Sequence, residues 1–89
     1  MSENLVGYCF YHGDGVAQNK TKAFEWYTKA AEKGNSDAMY NLGYCFEHGN
    51  GVALNLATAL EWYAKARDAG DERAEERINI VRNIVRNCV

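Results

Sequence analysis

The 89-residue sequence contains no proline, the residue that most strongly interrupts a helix. It has no run approaching the roughly 20 apolar residues that crossing a bilayer requires, which disfavours a membrane role. Its first ten residues, MSENLVGYCF, carry neither the basic segment nor the long apolar run of a secretion signal. A basic excess is missing as well. Ten Lys and Arg face twelve Asp and Glu, a formal net charge of −2. A nucleic-acid partner, which would need phosphates neutralised, is therefore disfavoured, and the acidic excess is too small for a polyanionic tail. Cysteines are few and odd in number: Cys9, Cys45 and Cys88. They cannot all pair within the chain, so reduced thiols and a cytoplasmic setting are expected. The sequon Asn19-Lys20-Thr21 would matter only in a secreted chain.

What is present is ordinary in composition and unusual in order. A hydrophobic fraction of 47% with 25% charged residues is that of a soluble globular protein, here one small domain with a modest core. Shifted by 36 residues, Gly7-Tyr8-Cys9-Phe10 falls on Gly43-Tyr44-Cys45-Phe46, and Glu25-Trp26-Tyr27 on Glu61-Trp62-Tyr63. Between Gly7–Gly34 and Gly43–Gly70, 17 of 28 positions are identical. A period in this range signals stacked supersecondary units, none of which buries its apolar face alone.

Each unit reads as two helices around a glycine loop. In the second unit, Ser36 or Asp37 is expected to cap a helix with Ala38, Leu42, Cys45 and Phe46 at helical spacing. His48-Gly49-Asn50-Gly51 ends it. Asn55 caps the next helix, with Ala59, Leu60, Trp62, Tyr63 and Ala66 as its apolar stripe, and Gly70 stops it. Asn19, the stripe Ala23, Phe24, Trp26, Tyr27 and Ala30, and Gly34 repeat the plan in the first unit. No stretch alternates as a strand would. The sequence thus predicts an all-α chain with helices near 3–12, 19–33, 37–48, 55–69 and 71–87. Repeat 1 covers about 2–34, repeat 2 about 37–70, and a C-terminal helix 71–89, all in a single domain.

The pattern Ala38-x-x-x-Leu42-Gly43-x-x-Phe46-x-x-Gly49-x-Gly51-Val52, followed by Ala59-x-x-Trp62-Tyr63-x-Lys65-Ala66, resembles the Sel1-like repeat, a relative of the tetratricopeptide repeat. The first unit answers with Gly7, Phe10, Gly13, Gly15, Val16, Ala23, Trp26, Tyr27, Lys29, Ala30 and Ala31. The resemblance implies an α/α superhelix (solenoid) of two helix-pair repeats plus a capping helix. It implies a protein–protein interaction module, an adaptor or scaffold, rather than an enzyme. It also departs from the family in places. Asn19 and Asn55 stand where Asp is usual, Ser2 stands where the second unit has Ala38, and family arrays are typically longer than two units. The paired cysteines of some secreted bacterial relatives are absent.

By match to the tetratricopeptide pattern, the concave, protein-binding positions are Asn4, Tyr8, Tyr11 and His12, then Asp37, Tyr40, Tyr44, Glu47 and His48. Tyrosine suits such a surface because it joins a rigid apolar ring to a polar tip. The competing expectation is that some of these rings simply pack between repeats. From Asp71 the repeat decays, and Ile78, Ile80, Val81, Ile84, Val85, Cys88 and Val89 spread around half a helix. That helix is expected to serve as a cap over the second repeat, or Ile80 and Ile84 reach past it to a second copy or to a further repeat. Open solenoid ends offer a second route to a homo-oligomer.

Other chemistry finds little support. His12 and His48 lie one repeat apart, about 10 Å for packed helices, too far to share one metal ion. With Cys9 and Cys45 they could form a thiol–imidazole nucleophile, the basis of a hydrolase alternative, yet no third orienting group is evident. Gly13-x-Gly15 and Gly49-x-Gly51 follow no strand and precede no Lys-Ser, so they are turns and not phosphate cradles. Glu25/Lys29 and Glu61/Lys65 are expected as solvent-facing ion pairs. No metal and no cofactor is called for.

Overall fold

In a computed structural model that describes residues 3–87, the chain forms five helices. They are α1 (Glu3–His12), α2 (Lys20–Glu32), α3 (Ser36–His48), α4 (Leu56–Asp68) and α5 (Arg73–Asn87). Cys88 and Val89, expected on the last apolar face, and Ser2 of the first unit lie outside the described residues. Each helix packs on the next in chain order, and α5 also touches α3. This successive layering is a solenoid.

The helix boundaries follow from local chemistry. Asn19 accepts from Lys22 N at 3.0 Å and Asn55 from Thr58 N at 3.1 Å, so both asparagines cap as expected. The cap of α3 differs from expectation. Asn35, and neither Ser36 nor Asp37, accepts from Ala38 N at 3.0 Å, and Ser36 is already helical. An Asx residue directly after a glycine stop captures the first free amide, which leaves Asp37 free for a partner elsewhere. Gly51 has a positive φ of 78°, and a Cβ there would stand 2.5 Å from the Lys20 carbonyl oxygen. Glycine is therefore needed for conformation and for the approach of the first repeat's second helix.

The core runs through the stack as small residues beneath aromatic rings. Ala23, Ala38, Ala59, Ala66, Ala74, Leu42, Tyr63 and Val81 are all fully buried. Gly43 shows why. A Cβ on it would meet the Tyr63 ring at 2.6 Å, so the absent side chain is filled by that ring. Trp26 and Trp62, expected to point inward, are only half-buried. Lys29 Nζ lies 4.5 Å from the Trp26 ring centroid and Lys65 Nζ 4.4 Å from that of Trp62. The expected Glu25–Lys29 and Glu61–Lys65 ion pairs are accordingly replaced by cations over indole faces, an attraction that water screens less.

Helix α5 is the first helix of a third unit in all but its partner. In the 36-residue register Ala74, Ile78 and Val81 fall on Ala38, Leu42 and Cys45, and all six are buried. Where Gly43 receives a tyrosine ring, however, α5 carries exposed Asn79. The positions of Met39, Tyr40 and Phe46 become Glu75, Glu76 and Arg82. At these positions α5 is polar where α3 carries apolar and aromatic side chains.

Candidate functional site

A pocket of about 200 Å³ opens between α1 and α3, lined by Tyr8, Tyr11, His12, Tyr27, Tyr40, Asn41, Tyr44 and Cys45. Its walls come from the repeat itself. Tyr8 and His12 lie four residues apart on α1, with ring centroids 4.2 Å apart, and Tyr44 and His48 repeat the pair on α3 at 4.3 Å. Tyr11 meets Tyr44 edge-on across the helix gap at 6.4 Å. Asn50 Nδ2 donates to Tyr11 Oη at 3.0 Å, and Asn41 Nδ2 donates to Asn4 Oδ1 at 3.0 Å. These bonds tie α1 to α3 and to the loop that follows it.

Five of the nine residues expected on this surface, Tyr8, Tyr11, His12, Tyr40 and Tyr44, line the pocket. Asn4 sits beside it through its bond to Asn41, and His48 is exposed on the same helix face as Tyr44. The other two are committed elsewhere. Asp37 accepts from Arg73 Nη2 at 2.9 Å, at the junction of α3 with α5. Glu47 is 6% exposed and does not belong to the groove surface. It accepts from Tyr63 Oη at 2.7 Å and is paired with Arg77 of α5. The tetratricopeptide register cannot foresee this, since the cation comes from beyond the repeat.

Three residues of the lining were not expected there: Tyr27, Asn41 and Cys45, the last read as core. Tyr27 belongs to the buried stripe of α2, yet its side chain extends through the helix layer to the pocket. Asn41 went unread, although it lies one turn from both Asp37 and Tyr44 on α3. Both cations on the lining rings come from outside it. Lys20 Nζ is 5.4 Å from the Tyr11 centroid, and the Arg73 guanidinium is 4.3 Å from that of Tyr40. Arg73 is also chelated by Asp71, with contacts of 3.0 and 2.7 Å. Its hydrogen bonds hold the Asp71 carboxyl below the usual range.

Burial favours the protonated form of several groups in and behind the pocket. Burial pushes the Tyr27 and Tyr63 phenols well above their ordinary value and raises Tyr11 as well. Burial also pushes the Cys45 thiol up to about 12. Burial disfavours the thiolate that a nucleophilic Cys45 would need. Among the described residues, no group of three or more His, Cys, Asp and Glu could hold a metal ion. No described helix is long and apolar enough to cross a membrane.

The profile of the Sel1 repeat matches residues 1–35 and again 36–71. The chain belongs to the Sel1 repeat family. Solved Sel1 structures superimpose closely. A Sel1 repeat protein from Oxalobacter formigenes aligns with a TM-score of 0.85 at 39% identity, over 89% of this chain and 32% of that one. The protective antigen c5321 of uropathogenic Escherichia coli gives 0.79 at 36% identity, over 81% and 15%. Cysteine rich protein B of Helicobacter pylori gives 0.78 at 30% identity, over 81% and 54%. The chain thus spans from about a seventh to about half of these longer arrays. No curated protein matches it significantly. Sel1 repeats generally act as protein-interaction modules, and this chain has their all-helical solenoid architecture.

Proposed function

We propose that this Sel1 pair is an adaptor or scaffold segment that binds a peptide or partner segment along the face shared by α1 and α3. The observation that carries this reading is the tyrosine-lined pocket between those helices. Tyr8 there is 47% exposed, far more than a core ring would be. Aromatic surface held rigid by hydrogen bonds loses little entropy when a ligand covers it, so its burial translates into affinity. No step of turnover is involved. Asn4, Tyr8, Tyr11, His12, Tyr40, Tyr44 and His48 form the binding face in this reading, while Asp37 and Glu47 support it from behind.

The test is selection of peptides from a random library against the whole chain. Binders should lose about tenfold or more in affinity, near 1.4 kcal/mol, on Tyr8→Ala or Tyr44→Ala with the helical circular dichroism unchanged. Binders indifferent to both substitutions would place the interaction surface elsewhere.

A second reading, self-association, has its own support. Ile80, Ile84 and Val85 are 36%, 39% and 42% exposed. In the repeat register Ile80 and Ile84 stand at the positions of Tyr44 and His48, so they extend the same face. At the other end Val6 and Cys9, whose counterparts Leu42 and Cys45 are covered by α2, are only half-buried.

A further inference from the structure

Two tyrosines that the repeat makes equivalent have different surroundings. Tyr27 and Tyr63 hold matching positions, and each ring lies on the matching glycine. A Cβ on Gly7 would come within 2.8 Å of the Tyr27 ring, and one on Gly43 within 2.6 Å of the Tyr63 ring. Both side chains are buried, at 3% and 0% exposure. Their hydroxyls part company. Tyr63 Oη donates to Glu47 at 2.7 Å, with Arg77 on the same carboxylate. One repeat earlier the positions of Glu47 and Arg77 hold Tyr11 and Asn41, and both line the pocket beside Tyr27. Among the described residues, Tyr27 Oη makes no hydrogen bond.

A buried phenol thus reaches an open pocket at the place where its counterpart reaches a carboxylate. That hydroxyl faces the open space of the pocket and no protein acceptor, so a ligand that supplies an acceptor there meets a donor not committed elsewhere. Lys20 is what favours an anion. None of the lining residues is acidic, and Lys20, 5.4 Å from the Tyr11 centroid, bonds the neutral Asn50 and no carboxylate among the described residues. Arg73, on the Tyr40 ring, is offset by Asp37 and Asp71 and adds nothing to this.

We propose that the pocket accepts the side-chain carboxylate of a glutamate in a bound peptide, placed where Glu47 stands one repeat later. Tyr27 Oη donates to it, Asn41 and Tyr11 flank it, and Lys20 supplies positive potential at the rim. This rests on the groove-binding reading and names the chemistry that the groove selects. A side chain, and not a chain end, is the expected source. The carboxylate it replaces is a glutamate side chain reaching in from a neighbouring backbone, and the pocket opens along a helix face that a passing peptide can follow.

The test is an NMR titration of the ¹⁵N-labelled chain with three blocked peptides. These are acetyl-Gly-Glu-Gly-amide, its Gln analogue, and acetyl-Gly-Gly-Gly with a free C-terminal carboxylate. The Glu peptide is expected to shift the Asn41 side-chain amide saturably in the millimolar range, and to bind about tenfold tighter than the Gln peptide. Tyr27→Phe, which removes one oxygen, should weaken the Glu peptide about tenfold and leave the Gln peptide unchanged. Tyr11→Glu, which installs the chain's own carboxylate, should abolish binding of the Glu peptide in a folded protein. No saturable shift, a preference for the free chain end, or indifference to Tyr27→Phe would overturn the carboxylate subsite. Equal binding of Glu and Gln peptides, lost together on Tyr44→Ala, would overturn it while groove binding stands. Shifts confined to α2, α4 or α5 would count against both.

Discussion

Arg77, on the last helix, pairs with Glu47, on the first helix of the second repeat, and the same carboxylate accepts from Tyr63 at 2.7 Å. Three helices thus share one buried carboxylate: α3 carries it, α4 donates to it, and α5 neutralises it. A buried ion pair adds little net stability over an apolar pair, but removing one partner strands the other. Glu47→Ala should destabilise the chain by on the order of 2–3 kcal/mol, below the value for a fully buried pair because Arg77 keeps some solvent. In a domain of this size that lowers the melting temperature by about 10 °C or more. Thermal unfolding followed by circular dichroism measures it, and Arg77→Met should cost at least as much as Glu47→Ala, because it strands the more deeply buried of the two charges.

Gly43→Ala tests the seat of the Tyr63 ring. The added methyl would stand 2.6 Å from Cδ1, closer than packed atoms tolerate, and the ring is flanked by helix on both sides. Overpacking of this kind costs about 1–3 kcal/mol even though alanine is the better helix former. Denaturant titration with an unchanged slope is the expected outcome. An increase in stability would mean that the ring has room to move.

Raised acid groups make the fold sensitive to alkali. Burial pushes the Cys45 thiol up from its ordinary range to about 12, and raises both buried tyrosines as well. A group whose folded pKa lies above its unfolded one contributes stability that is intact below the unfolded value and lost as pH rises. Stability should therefore be flat through neutral pH and fall from about pH 9 upward. In the native state at pH 8, iodoacetamide should modify half-buried Cys9 well before buried Cys45. Equal rates would show that Cys45 is exposed by frequent opening.

Self-association has a direct check in size. Sedimentation across a hundredfold dilution should reveal a dimer that Ile80→Glu with Ile84→Glu splits without loss of helix, because neither side chain belongs to the buried set Ala74, Ile78 and Val81. A strict monomer at every concentration removes that reading.

Much of this architecture was legible from spacing. All five helices, the Asn19 and Asn55 caps and the glycine stops follow from local chemistry repeated twice, which is why they could be read without any partner. What escaped depends on contacts between distant positions. Asn35 displaced Ser36 and Asp37 as a cap because the glycine stop brings its side chain back to Ala38 N. Lys29 chose the Trp26 face over Glu25, a competition between two neighbours that spacing alone leaves even. Glu47 has the helical register of a groove residue, and only the arrival of Arg77 from 30 residues on turns it inward. Tyr27 reads as core and is core, but its hydroxyl end belongs to the pocket. The Ile80 and Ile84 positions illustrate the same limit, because an apolar residue on a terminal helix reads alike whether it faces a core, a partner or solvent.

The central claim, that the face between α1 and α3 is a binding surface, is tested most directly by mapping a library-selected peptide on the ¹⁵N-labelled chain. The account predicts shifts concentrated at Tyr8, Tyr11, Asn41 and Tyr44 and abolished by Tyr44→Ala in a protein of unchanged helicity. Shifts confined to the outer faces of α2 and α4, or undiminished in Tyr44→Ala, would contradict it.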